Sequence, residues 1–314
     1  KGQVLTDLLA PQVIIGILAS GIMLATPYLY AAIGEMFGQL SGVLNLGLEG
    51  ILLVSAFAAY FVVFSGGNLV VGLVVAMIVG ALMGLLTAFI NVTLKADQGI
   101  SGIGIYLFGL GLSDLLFRVT VGTPTTVTGF PTLNIPFLSS LPVLGPILFS
   151  QNVLVYGAFA LVPISWWILN RTTLGLKIRA VGQTPAAADS LGISVVRTRY
   201  LTELVGGTLA GVAGASLSIA LLNVFQANLT SGLGFIAVAL VYFGAWQPVR
   251  IMLGALLFSM VNALQLWMQT LGVAVSPKLA GMLPYILTIV ALIFAARSLI
   301  TQPTALTKPF ERGE

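Results

Sequence analysis

The 314-residue chain has no cysteine, no histidine, and charge on only 7% of its residues. The first two absences exclude disulfide staples, thiol chemistry and any Cys/His metal site. The third excludes an ordinary soluble domain, which carries about 25% charged residues to hold its hydrated surface. No G-x-x-x-x-G-K-[ST] phosphate loop occurs, so the chain is not expected to hydrolyse ATP itself. The net charge of +4 comes with no basic cluster interleaved with aromatics, so no nucleic-acid partner is expected. Buried acids are sparse and no nucleophile–base set is present, leaving no catalytic residue and no metal site to nominate.

What the chain does have is apolar surface: 58% hydrophobic residues and a mean hydropathy of +1.08. That describes an all-α, polytopic transmembrane helical bundle in contact with membrane lipid. Apolar runs long enough to span a bilayer lie at about 13–34, 42–64, 68–94, 100–118, 152–169, 198–222, 232–247, 250–271 and 282–300. These make about nine crossings, one or two of them broken; 232–247 is short enough to be a broken or re-entrant helix. Residues 1–302 form one transmembrane domain, and 303–314 a tail too short and polar to be another. Lys1 to Ala10 lacks the long apolar core of a signal peptide.

Lysine and arginine set the orientation. One set of loops and ends holds Lys95, Arg171, Lys177, Arg179, Arg197, Arg199, Arg250, Arg297, Lys308 and Arg312; the other holds Lys1, Arg118 and Lys278. Ten against three places the loop 170–199 and the C-terminus in the cytoplasm and the uncharged, Pro-, Thr- and Gly-rich loop 119–151 outside. The cytoplasmic loop contains GQTPAAADSLGI, Gly182 to Ile193. Thr184 can cap a helix, Pro185 suits its first position, Ala186, Ala187, Ala188 and Asp189 propagate it, and Gly192 can stop it. Two turns cannot cross a membrane. This helix is either an ordinary interfacial element or a rigid knob on which a cytoplasmic partner docks.

Lipid provides no hydrophobic drive between helices, so close packing falls to small residues. Gly72, Ala76, Gly80, Gly84 and Ala88 recur on one face of the third span; Gly207, Gly211 and Ala215 do so in the sixth. Both read as packing seams.

Two stretches break span regularity. In SGVLNLGLEG, Ser41 to Gly50, glycines interrupt the helix and Asn45 and Glu49 lie one turn apart. In NLTSGLGFIAVAL, Asn228 to Leu240, Asn228 and Ser231 precede a Gly-broken apolar run. An intramembrane carboxylate usually faces protein or a water-filled cavity, and paired Gly-interrupted segments mark a substrate path. Glu49 and Asn45 therefore either line such a path or bridge helices. Asn262, Gln265 and Gln269 share one face of the eighth span and line a path or satisfy neighbours. Asp114 with Arg118, and Arg199 with Glu203, read as interfacial charge pairs.

GVLNLGLEGILL, the loop GQTPAAADSLGI followed by VRTRYLTELVGGTLAGVAGA, and GLGFIAVALVYFGAWQPV resemble the membrane permease subunits of bacterial ABC importers. The resemblance is to the nucleoside and simple-sugar branch, related to ribose and branched-chain amino-acid permeases, and covers about residues 25–300. It implies a multi-pass protein of the bacterial cytoplasmic (inner) membrane that translocates nucleosides. A simple sugar or other small polar solute is the alternative substrate, and an ion-coupled secondary transporter the alternative class. It implies an ABC ATPase subunit carrying ATP and Mg, an extracytoplasmic substrate-binding protein, and a second, related permease subunit forming a heterodimer. It implies that Thr184 to Gly192 is the coupling helix seated in a groove of the ATPase.

Overall fold

The computed structural model describes residues 10–271 and 302–311, together with Met282, Ile286, Ile289, Val290 and Ile293. Helix α1, Pro11–Leu40, starts on a proline, whose missing N–H is no loss at a helix start, and stops where Gly42 turns left-handed at φ +96°. Helix α2 begins only at Leu48 and runs to Phe64. Helices α3, Leu69–Ala88, and α4, Gln98–Thr120, are capped by Asn68 and Asp97, whose carbonyl and carboxylate oxygens accept from Val70 N and Ile100 N at 2.9 Å. A π-helical turn, Phe89–Thr93, extends α3.

The uncharged loop then forms a small lid: β1, Thr132–Asn134, pairs antiparallel with β2, Ser150–Asn152, around the single turn α5, Leu144–Leu148. Helix α6, Val153–Arg171, follows. Next come α7, Thr173–Gln183, and α8, Pro185–Ser190. Helix α9, Val195–Ser216, closes with a second π turn, Leu217–Leu221. The short α10, Leu233–Phe243, and α11, Pro248–Thr270, complete the helices.

Six of these, counting the π extensions, are long and apolar enough to cross a membrane: Pro11–Leu40, Leu69–Thr93, Gln98–Thr120, Val153–Arg171, Val195–Leu221 and Pro248–Thr270. The expected spans 42–64 and 232–247 are instead helices of 17 and 11 residues. At about 1.5 Å per residue the second reaches only about 16 Å, half a bilayer core. The segment 282–300 lies outside the described residues except at five exposed apolar helical positions. The chain is also not purely α: two three-residue strands pair in the Pro- and Thr-rich lid, where proline and β-branched threonine disfavour a long helix. Within the loop 170–199 a second helix, α7, precedes the expected one.

The two small-residue seams meet. A Cβ on Gly80 would lie 2.2 Å from the Gly207 carbonyl oxygen, one on Gly207 would lie 2.3 Å from that of Gly80, and one on Gly211 would lie 2.3 Å from that of Ala76. Helices α3 and α9 thus cross backbone to backbone. The opposite face of α3 exposes Val70, Val74, Ile78, Leu82, Leu85 and Phe89, an apolar stripe suited to lipid. Helix α9 uses its other faces too: Gly206 lies against Gly34 of α1, and a Cβ on Gly214 would lie 2.4 Å from Leu52 O of α2. It is the central post of the bundle. Its two ends define the two ends of the molecule, with the lid packed near Ile219 and Asn223 and α7, α8 and residues 302–311 near Val195 and Arg199.

Gly80→Ala should therefore lower the thermal stability of the protein in nanodiscs by several degrees, since forcing a methyl into a packed core costs about 1–3 kcal/mol. Gly104 of α4 faces open space, so Gly104→Ala should match or exceed the parent, as alanine favours a helix by about 1 kcal/mol over glycine. Equal losses from both would contradict the backbone-contact assignment.

Candidate translocation site

Three irregularities of the backbone border one cavity of about 330 Å³, within the size range of small-molecule sites. Pro27 sits inside α1, where it removes a helix hydrogen bond, and lines the cavity with Tyr28. Leu217 and Leu221 belong to the π turn of α9, a feature frequent at functional sites. Thr230 and Ser231 belong to the break before α10, in which Asn228 and Ser231 are left-handed at φ +55° and +46°. Opposite them, α11 contributes Asn262 and Gln265. The lining is apolar with a few hydroxyls and neutral amides, and none of these lining residues is charged. Of the path residues expected from sequence, Ser231, Asn262 and Gln265 line this cavity. Asn228 shapes its rim, its carbonyl accepting from Ser231 N and Oγ at 3.1 Å, while Gln269 lies exposed beyond it.

Glu49 stands behind the cavity wall. Its Oε1 accepts from Thr230 Oγ1 at 2.5 Å and Gly232 N at 2.6 Å, and its Oε2 from Gly234 N at 2.6 Å. The two Gly-broken segments are thereby joined by one carboxylate, which bridges them without lining this cavity. Gly234 permits this approach: a Cβ there would lie 2.5 Å from Glu49 N.

Asn45 is also a brace. Its backbone N–H donates to Glu35 Oε1 at 3.1 Å and its Nδ2 to Glu203 Oε2 at 3.3 Å. Gln39 Nε2 donates to the same Glu35 oxygen at 2.9 Å, and Gln39 Oε1 accepts from Trp246 Nε1 at 2.9 Å. This buried network ties α1, the α1–α2 break, α9 and the exit of α10, where Ala245 and Trp246 are both left-handed. The apolar run of the first span ends at residue 34, short of Glu35 and Gln39, although the helix itself continues. Their i, i+4 spacing on a helix that continues to Leu40 was the available signal.

The Arg199–Glu203 charge pair does not form. Both residues are buried, and the Arg199 guanidinium instead donates through Nε to Ser41 O at 3.1 Å, at the C-terminal, negative end of α1. Asp114 and Arg118 do pair, at 2.8 Å.

A second cleft, of about 380 Å³, opens at the α7–α8 end between Leu40, Arg179, Gln183, Ala245, Trp246 and Pro248. Helix α10 lies between the two: Leu233 and Ile236 line the first cavity, Ala245 and Trp246 the second. Beyond the second cleft projects α8. Gly192 ends it at φ +83°, with Ile193 N donating to Ala188 O at 3.0 Å, as expected of a glycine stop. Thr184 departs from expectation: its side chain makes no cap bond, because its ψ of 80° is not that of a capping residue and its N–H already closes α7 on Ala180 O at 2.9 Å. Ala188 is buried against Val181 and Val195, whereas Ala186, Ala187, Ser190 and Leu191 are exposed, Leu191 to 82%.

Residues 17–292 match the family model described as the branched-chain amino acid transport system / permease component. A permease protein of Haloferax volcanii, assigned provisionally to glucose ABC transport, is 37% identical over 95% of this chain and 98% of its own length. The guanosine ABC transporter permease protein NupQ of Bacillus subtilis is 35% identical over 96% of this chain and 98% of its own. The nucleoside ABC transporter permease protein NupC of Lactococcus lactis is 34% identical over 88% and 90%. In both of the last two organisms a second permease protein named for the same substrate also matches. No solved structure matches the chain. With its apolar helices and a family match over most of its length, the chain belongs to the permease components of the branched-chain amino acid transport type, among relatives that serve ABC transporters.

Proposed function

We propose that this chain is one of two transmembrane subunits of an ATP-driven importer for nucleosides, with the cavity between α1, α9, α10 and α11 on the substrate path. The observation that carries the reading is the convergence of Ser231, Thr230, Asn262 and Gln265 on that cavity. Each amide offers both donor and acceptor, which suits hydroxyls and base edges, and the uncharged lining suits a neutral solute. A second reading, a simple sugar, draws on the Haloferax relative named for glucose.

In this reading ATP and Mg are bound by a separate ATPase subunit, and an extracytoplasmic protein delivers substrate. The other permease subunit is a related, non-identical chain, as the paired permease proteins of Bacillus and Lactococcus suggest. The ten-to-three charge split orients α7, α8 and 303–314 toward the cytoplasm, with the lid outside. Helix α8, from Thr184 to the Gly192 stop, then presents Ala186, Ala187 and Leu191 to the ATPase. The segment 282–300 and the two short helices bring the membrane passes of the domain to nine.

Uptake into proteoliposomes holding the complete transporter tests the substrate. Guanosine should enter and glucose should not compete; Asn262→Ala and Gln265→Ala should each lower uptake about 3- to 10-fold, the effect of one lost neutral hydrogen bond. Competition by glucose and not by nucleosides would replace the first reading with the second.

Glu49→Gln tests the brace. One carboxylate oxygen becomes an amide NH2 facing an N–H or O–H donor, leaving buried groups unpaired at a cost of about 1–3 kcal/mol. The variant should insert but melt lower and transport poorly. Parental stability and uptake would show that the three hydrogen bonds to Glu49 are dispensable.

A further inference from the structure

Residues 302–311 form a short segment with no core of its own, yet four hydrogen bonds, one ion pair and one apolar contact bind it across the α7–α8 end. Ala305 N–H donates to Gly182 O at 2.9 Å, and Thr304 Oγ1 donates to Gln183 O beside it. Two residues later, Thr307 N–H donates to Gly42 O at 3.2 Å. Lys308 O accepts from Arg199 Nη1 at 3.1 Å, while the same guanidinium holds Ser41 O. Glu311 pairs with Lys95 at 2.7 Å, and Phe310 packs on Val181, Ala188 and Val195. Ala305 and Leu306 are buried. Space for this segment exists because position 42 is glycine: a Cβ there would lie 2.9 Å from Ala305 O and 2.8 Å from Arg199 Nη2.

The two glycines held this way sit at two places where the bundle is broken. Gly182 and Gln183 lead directly into α8. Gly42 opens the α1–α2 break whose following residues, Asn45 and Glu49, hold α9 and the start of α10. Gly182 also packs on the end of α1, where a Cβ would lie 2.0 Å from Leu40 O. That contact resists compression steeply but separation only weakly, since an atom pair in van der Waals contact gains just about 0.1–0.2 kcal/mol. A hydrogen-bonded strap resists separation as well.

We propose that residues 303–311 are a mechanical tie that lets withdrawal of α8, as well as its advance, move the α1–α2 break. The inference rests on the reading of α8 as the ATPase-coupled element. Displacement of α8 passes through Gly182 to Ala305, from Ala305 to Thr307 within one turn, and from Thr307 to Gly42. Arg199 anchors the far side of the tie to the foot of α9.

Thr307 is the position to test, because its φ of +66° and its N–H are both required. Thr307→Pro removes the donor and cannot adopt a positive φ; Thr307→Gly keeps the donor and suits the backbone. Both go into the complete transporter in proteoliposomes, with Ala187→Arg on the exposed face of α8 as a third variant. Thr307→Pro should leave the complex assembled and its basal ATP hydrolysis intact. It should lower uptake and substrate-stimulated hydrolysis by about fivefold or more, the low end of a coupling energy between sites. Thr307→Gly should match the parent. Parental uptake and stimulation by Thr307→Pro, while Ala187→Arg abolishes both, would overturn the tie and leave the coupling role of α8 standing. Parental behaviour of all three would overturn both. Failure of the Thr307→Pro complex to assemble, where Thr307→Gly assembles, would reassign the segment to assembly and equally overturn the tie.

Discussion

Helix α10 begins inside the bundle, and the first amide N–H groups of any helix lack an intrahelical acceptor. In a bilayer such groups cannot borrow water, and each unpaired one costs several kcal/mol. Glu49 resolves this by placing both carboxylate oxygens on the backbone of Gly232 and Gly234 and on the hydroxyl of Thr230. The same carboxylate occupies the first turn of α2, so the positive ends of two helices meet on one negative charge. The start of α10 and the adjoining cavity wall depend on that arrangement. The break before α10 holds Ser231 at the cavity, and the cavity wall opposite Asn262 and Gln265 is fixed by where α10 starts.

Around this joint the bundle is divided into stiff and interrupted parts. The crossing of α3 and α9 is stiff, because backbones in direct contact at Gly80, Gly207 and Gly211 leave no side chain to rearrange. The interrupted parts are the α1–α2 break and both ends of α10, with left-handed residues at Asn228, Ser231, Ala245 and Trp246. Non-glycine residues in that region cost about 1–3 kcal/mol each and persist only where their surroundings enforce them. Here the enforcement is polar: Glu49 at one end of α10, Gln39 bonding Trp246 at the other. Helix α10 is thus held by a few hydrogen bonds at its two irregular ends and is flanked by a cavity on each side.

Much of this was legible in the residues. The four-residue repeat of Gly72, Ala76, Gly80 and Gly84 announced a seam, and the matching repeat in α9 supplied its partner. Pro185 and Gly192 bounded α8 closely, since proline and glycine act through the backbone alone. The pairing of the two Gly-broken segments was suspected, but its agent was obscured by the two roles open to a mid-span carboxylate. The i, i+4 spacing of Glu35 and Gln39 encodes their mutual bond, but no local pattern encodes their connection to Glu203 and Trp246, up to 207 residues away. Arg199 and Glu203 misled for a related reason: i, i+4 spacing permits an ion pair, yet α1 lies over both and offers Arg199 the end of a helix instead. The segment 302–311 is the plainest case, being unremarkable as sequence and tightly bound as structure.

The account stands on the cavity beside α10 being the substrate path. Because the chain has no cysteine, Gln265→Cys provides a single thiol at the cavity wall for measurement in the assembled transporter. Its modification by a small water-soluble maleimide should be detectable and should slow when a transported nucleoside is present, with no slowing by a non-transported solute. A labelling rate indifferent to nucleoside, in a variant that still transports it, would place the path elsewhere and contradict the account.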